Sequence, residues 1–441
     1  MKKISTLICF LLFINISNSH SQAWTALGGG LGTSSEEVKA IAVDPSGNVY
    51  VGGTFTTRVS YLAKWDGTNW VSLGVNGPVY SIGIKTASEI YVGGLFSQAG
   101  SVTVSNIAKY NGTSWSAVGD GFDGKVLCVS VPPSGNIYAG GEFSNSGPTQ
   151  VNHIAKLNGG VWTAMGSGIN SNVNAITEHT ISSVMNVYAG CDAVANPVMK
   201  FDGSSTWSVC AGLTGGRALT LASFGAYLYA GGDFSTPVRA GARWDGSSWS
   251  TIITNFSFGQ RVNVLYKHTD ALYIGGNFTG VGLGSPNYIA RIPNTNAPIL
   301  SFTVSSELTS GEVFAIGKPG GYVIAGGKFT TPTMPATNNI SRTSTTIDVN
   351  EINDIVLNKN LYPNPVRETA TLTINTKSVV KNPVLKIFDV QSKLVQVEIT
   401  LNRQNDQLVF TFDVANVPAG NYYYVLSDEN SPITSDLFVI E

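Results

Sequence analysis

Apolar runs of four to eight residues, broken by clusters of Gly, Asn, Asp, Ser and Pro, recur along this chain. That pattern predicts short strands joined by turns. In one stretch Val38–Val43 (VKAIAV) reads as a strand and Asp44–Asn48 (DPSGN) as a turn. Tyr50–Phe55 is a second strand and Leu62–Trp65 a third. Asp66–Asn69 forms a tight hairpin, with Gly67 free to take a positive φ, and Trp70–Leu73 is a fourth strand ended by Gly74. No stretch of useful length carries a helical period, so the chain is expected to be all-β.

This four-strand unit repeats. Its second strand, with the Tyr-x-Gly-Gly-x-Phe mark, returns at Tyr91–Phe96, Tyr138–Phe143, Tyr229–Phe234 and Tyr273–Phe278, and more loosely at Tyr188–Asp192 and Ile324–Phe329. The hairpin that ends on Trp returns at Ile107–Trp115, Ile154–Trp162, Val198–Trp207 and Gly241–Trp249, and degenerates at Ile289–Asn296. Seven units at a period of roughly 40–50 residues predict a seven-bladed β-propeller over residues 22–345. The repeated Gly and Trp are what packing between blades demands. A large apolar ring can sit between sheets while its indole N–H reaches a polar partner. The paired Gly are expected to let neighbouring backbone, or the next blade's Trp, approach closely.

The ends of the array complement each other. Trp24–Gly28 reads as a fourth strand with no blade before it, and the seventh unit stops near Ile340–Arg342, a third strand with no Trp strand after it. Pairing the two would close the ring and remove an open edge. The alternation of YVGGxF, IAKWDGxxW and LG resembles kelch-type propeller repeats, and more closely those of fungal cell-polarity cortical marker proteins. This resemblance implies the fold and little about activity, because the architecture hosts many functions.

Composition changes the picture in three ways. Net charge is −2 in 441 residues, which leaves no electrostatic case for nucleic acid or an anionic membrane. Met1-Lys-Lys3, the apolar run Leu7–Ile16 and the small residues Ser19 and Ser21 read as a secretory signal peptide over residues 1–21, too short to span a bilayer. No other segment is apolar and long enough for a transmembrane segment. Past the leader, Cys128, Cys191 and Cys210 remain. A Cys191–Cys210 disulfide in an oxidising compartment and small buried residues standing in for Gly are both compatible with their positions.

After Thr345 the repeat stops. Residues 346–360 form a polar linker, and residues 361–441 hold short alternating strands at Ala370–Asn375, Val384–Asp389, Leu408–Asp413, Tyr422–Leu426 and Leu437–Ile440, the pattern of a small β-sandwich. Leu361–Pro365 (LYPNP), Leu385–Val395 (LKIFDVQSKLV) and Gly420-Asn421-Tyr422 resemble the C-terminal sorting domain of type IX secretion cargo. Gln391-Ser392-Lys393 replaces the usual Gly-Lys, and the terminal DLFVIE lacks the common basic residue, which leaves release and surface anchoring both open. The resemblance implies the type IX secretion machinery as a partner and a secreted or outer-membrane-surface location.

Candidate chemistry is sparse. His153, His179 and His268 lie in different units, and no pair has metal-ligand spacing, so no metal and no cofactor are expected. There is no nucleophile elbow, phosphate loop or Asp ladder for calcium. The residues just before each first strand are more telling: Glu37, Pro78, Lys125, Asn172, Arg217, Arg261 and Glu312. Five of these seven are charged in a chain that is 12% charged. They would ring one mouth of the channel, with Lys125, Arg217 and Arg261 on one side and Glu37 and Glu312 on the other. The loops between second and third strands share this face and vary from unit to unit, as binding loops on a rigid scaffold do. These features favour a secreted or surface binding protein for a glycan, polymer or protein. A secreted polysaccharide-degrading enzyme and a structural adhesin are the alternatives.

Overall fold

A computed structural model describes residues 24–33, 35–203, 205–253, 256–269, 271–280, 287–293, 310–330, 338–343, 356–376, 380–389, 394–404, 406–428 and 431–441. The leader, Ser344–Val349, most of the linker and most of the Thr279–Tyr288 loop lie outside these residues. Every named element is a strand.

The repeat unit forms a four-stranded antiparallel meander. In the first, Val38–Val43, Val49–Gly53, Leu62–Trp65 and Trp70–Ser72 lie side by side in chain order. Among the described residues between 24 and 343 there are seven such sheets, the sixth with three described strands. In the last, Ser310–Gly317, Ile324–Thr330 and Asn338–Thr343 are completed by the N-terminal strand Trp24–Ala26, with Trp24 opposite Thr343 and Ala26 opposite Ser341. The innermost strands touch in succession. Val38–Val43 packs on Val79–Thr86, contact passes from sheet to sheet to Ser310–Gly317, and that strand packs back on Val38–Val43. The region is all-β and propeller-type.

The two Gly of the repeat have separate jobs. A Cβ on the first would overlap the next sheet's inner strand: Gly52 faces Val79, Gly93 faces Val126, Gly231 faces Val262 and Gly326 faces Val38. A Cβ on the second would overlap a carbonyl of its own sheet's inner strand, as Gly53 with Glu37, Gly141 with Lys125 and Gly276 with Arg261. The neighbour of the first Gly is therefore a Val, not the next blade's Trp. The Trp works at the periphery. Trp70, Trp115, Trp162, Trp207 and Trp249 each donate Nε1–H to a carbonyl near the end of the preceding outer strand: Leu27, Leu73, Val118, Met165 and Cys210, at 2.8–3.1 Å. Each such bond contributes about 1 kcal/mol net, and the ring beside it closes the gap between sheets.

Cys128, Cys191 and Cys210 are free thiols in buried positions. Burial pushes the Cys191 and Cys210 thiols up to about 12, which keeps them protonated and unreactive. They pack as small apolar residues.

The C-terminal residues form two further four-stranded sheets. One orders Val356–Tyr362, Thr369–Thr376, Gln407–Asp413 and Ile399–Gln404; the other orders Leu394–Val395, Pro383–Asp389, Gly420–Asp428 and Ser431–Ile440. Alternate residues Ala370, Leu372 and Ile374 of one sheet and Leu385, Ile387 and Tyr424 of the other enter one apolar cluster with Phe410, Phe412 and Phe438. The polar connector expected over 346–360 ends early, because Val356–Tyr362 pairs with Thr369–Thr376. Ile399–Gln404 was not expected as a strand, since its residues are largely exposed and polar.

Candidate functional site

Each inner strand begins with a register shift. It falls between Val38 and Ala40 in the first sheet, Val126 and Cys128 in the third, Ala218 and Thr220 in the fifth and Val313 and Ala315 in the seventh. Such a bulge bends the strand start and re-aims the residue before it. That residue is the expected mouth residue, and its carbonyl is held by the residue after the Gly pair. Thr54, Leu95, Glu142, Asp192, Asp233 and Asn277 donate backbone N–H to the carbonyls of Glu37, Pro78, Lys125, Asn172, Arg217 and Arg261, at 2.9–3.3 Å.

The same register brings side chains together. Lys125 pairs with Glu142 at 2.9 Å. Arg217 pairs with Asp233 through Nη2 at 2.7 Å and Nε at 3.0 Å. Asn172 and Asn174 donate to the two oxygens of Asp192 at 3.0 and 2.8 Å. Glu37 pairs with Lys39 at 2.6 Å and lies 3.9 Å from Lys328. Arg261 makes a two-bond pair with Glu312 across the sixth and seventh sheets, and Asn263 donates to the same carboxylate at 2.7 Å.

This differs from a mouth with cations on one side and anions on the other. Arg261 and Glu312 neutralise each other, and Lys125 and Arg217 each carry a carboxylate from their own sheet. The residue after the Gly pair is the partner that sequence reasoning missed. Its signal was visible as the variable position between the Gly pair and the Phe of the mark, namely Thr54, Leu95, Glu142, Asp192, Asp233, Asn277 and Lys328. Burial pushes the Asp233 carboxyl up, but the Arg217 bonds outweigh it and hold Asp233 below the usual range. A general acid needs the opposite shift. Hydrogen bonding to Glu142 raises Lys125, and hydrogen bonding to Glu312 raises Arg261.

The loops above this ring share one anchor. Tyr61, Asn106, His153, Ala240 and Tyr288, each just before a third strand, all have φ between 57° and 69°. Each donates its N–H to the carbonyl of the repeat's Phe and accepts the N–H of the second Gly, at 2.7–3.1 Å. Glu36 fastens the first loop from the other side. It accepts from the backbone N–H of Thr33 and Thr56 at 2.6 and 2.5 Å and from the hydroxyls of Thr56 and Thr57 at 2.9 and 2.7 Å.

Below the mouth the inner strands enclose a channel of about 1150 Å³. Several of its polar wall groups are held by neighbouring side chains. Glu178 accepts from Ser134, Asn136 and the Tyr138 hydroxyl at 2.8–3.0 Å. His179 lies 2.9 Å from the Ser223 hydroxyl through Nδ1, and burial lowers its pKa. His268 stacks on Tyr266, while His153 belongs to the loop anchors. The three His are thus not brought together, and among the described residues no three His, Cys, Asp or Glu side chains are grouped as a metal would need.

Family models match the propeller-type region. Residues 23–54 match a β-propeller repeat and residues 68–224 the C-terminal β-propeller domain of Rax2. No protein of curated description matches the chain. A catalytically inactive virginiamycin B lyase from Staphylococcus aureus, solved with quinupristin, aligns at 12% identity over 73% of this chain and 99% of its own, with a TM-score of 0.46. Sqt1 of Saccharomyces cerevisiae aligns at 11% over 73% and 98% (TM-score 0.43), and a fungal alcohol oxidase in complex with copper at 10% over 95% and 99% (TM-score 0.40). Residues 360–441 match the secretion system C-terminal sorting domain, and this chain is therefore a propeller-type protein exported through type IX secretion to the cell surface or the extracellular space.

Proposed function

We propose that this protein is an exported binding propeller. Seven blades over residues 22–345 close on the N-terminal strand, and a β-sandwich over 361–441 serves as the sorting domain. The face that carries the mouth residues Glu37, Lys125, Arg217, Arg261 and Glu312 recognises a glycan, polymer or protein outside the cell. The observation that carries this reading is the contrast on that face. One backbone anchor recurs from sheet to sheet, while the loops it holds differ in length and sequence, and the ion pairs beneath them are satisfied within the protein. A rigid rim under varied loops suits recognition.

The test is a glycan array and an extracellular-protein pull-down with the exported full chain, run beside hydrolysis assays on the same polysaccharides. Retention of a ligand without release of cleaved product is the expected result. Product release would make the protein an enzyme, and no retention in any arm would overturn a binding role.

A further inference from the structure

One cleft on the loop face differs from the rest of the rim. It has a volume of about 420 Å³ and lies where the fourth, fifth and sixth sheets meet. Its wall includes Val194, Arg217, Asp233, Arg239, Phe258 and Gln260. Phe258 is 91% exposed and Val194 65% exposed, so two apolar side chains stand open at one small cavity. Single exposed apolar residues are ordinary. Two in a cleft with convergent polar groups are the make-up of a ligand site.

The charges beside them are unevenly satisfied. Arg217 is spent on Asp233, with bonds from its Nε, Nη2 and backbone N–H. Asp192, at the other wall, holds Asn172 and Asn174. Arg239 is exposed and has no ion-pair partner among the described residues. The cleft therefore offers one unpaired guanidinium, two carboxylates with lone pairs to spare, and an open aromatic ring. A guanidinium fits a carboxylate with two parallel bonds. Asp192 and Asp233 accept hydroxyl protons and repel a second anion. The Phe258 ring presents a flat apolar face with a negative quadrupole, which suits the slightly positive C–H face of a sugar ring.

We propose that this cleft binds a uronic acid residue of an acidic polysaccharide. Arg239 takes the carboxylate, Phe258 stacks on the ring, and Asp192 and Asp233 accept its hydroxyls. This deepens the reading of the loop face as the binding face and rests on it. The volume accommodates one or two sugar rings, so the polymer runs across the face and is gripped at one residue.

The experiment is affinity electrophoresis of the exported full chain through gels holding polygalacturonate, hydroxyethyl cellulose or poly-glutamate. Polygalacturonate should retard the protein, and the other two should not. Phe258→Ala and Arg239→Ala should each weaken retardation by about tenfold or more, whereas Lys85→Ala, an exposed position at the far end of the Val79–Thr86 strand, should leave it unchanged. Both substituted side chains are exposed, so unchanged melting curves will accompany the loss. Equal retardation of the two variants and the wild type would overturn this site. Retardation by poly-glutamate as strong as by polygalacturonate would replace the sugar with an acidic peptide. A glycan or protein bound elsewhere, with no retardation by polygalacturonate, would sink this inference and leave the binding role standing.

Discussion

The side chain of Val38 occupies the space that a β-carbon on Gly326 would need. Val38 opens the first inner strand and Gly326 lies in the second strand of the last sheet, so the two residues meet at the seam where the chain returns to its start. A methyl group there must push the first and last sheets apart. Gly326→Ala is expected to destabilise by about 1–3 kcal/mol, as overpacking does, read as an earlier urea midpoint with unchanged slope. Wild-type stability in this variant would mean that the seam yields freely.

Trp24 makes the opposite test of the same seam. It is 1% exposed and clusters with Tyr273, Ile289 and Phe329, while its backbone pairs with Thr343. Trp24→Ala should cost about 3–5 kcal/mol. Removing residues 22–30 should cost more, because the edge of Asn338–Thr343 is then bare. An unchanged melting temperature after truncation would show that another strand completes the sheet.

A stabilising change is available in the fourth sheet. The hairpin between Val173–Ile181 and Val184–Cys191 turns at Ser182 and Ser183, which have φ of 51° and 67° and are exposed. Two consecutive positive φ values define the turn that Asn-Gly fills best. Ser182→Asn with Ser183→Gly should raise stability by about 1 kcal/mol, seen as a higher melting temperature. A lower one would mean that the serine hydroxyls matter more than the backbone.

Acid should loosen the first loop. Burial pushes Glu36 up, but the hydrogen bonds from Thr33, Thr56 and Thr57 prevail and hold it at about 2 against an ordinary 4.5. A carboxyl lowered on folding stabilises the folded state fully above its unfolded value, and that contribution fades as pH falls through the folded value. Glu36→Gln should therefore melt below wild type at pH 7, and the gap should close between about pH 4.5 and 2. A gap that persists at pH 2 would assign the loss to shape instead of charge.

Export depends on the tail. Deleting residues 361–441 should leave a folded propeller in the periplasm, followed by cell fractionation and limited proteolysis. Wild-type amounts at the surface or in the medium would remove the sorting role.

Much of the scaffold was legible because repetition exposes packing. The Gly pairs, the Trp at each hairpin and the lone strand at Trp24 recur at positions where only sterics could hold them. The anchors under the loops were not legible. Tyr61, Asn106, His153, Ala240 and Tyr288 share no side-chain chemistry, since what they supply is a backbone turn and two peptide groups. The charge pattern was legible residue by residue and misleading in sum. Lys125, Arg217 and Arg261 were visible, but pairing them with Glu142, Asp233 and Glu312 needs the strand register and, for Glu312, the contact across a sheet boundary. Phe258 escaped notice because it belongs to no repeat.

The loop anchor has a practical corollary. In five of the sheets both ends of the insert are clamped by the same two peptide contacts, whether the span is residues 56–60 or 97–105. The same clamp geometry holds loops of different length. The face is thus a row of sockets into which segments can be exchanged, so new specificities can arise by swapping inserts between units while the scaffold and its exit signal stay as they are.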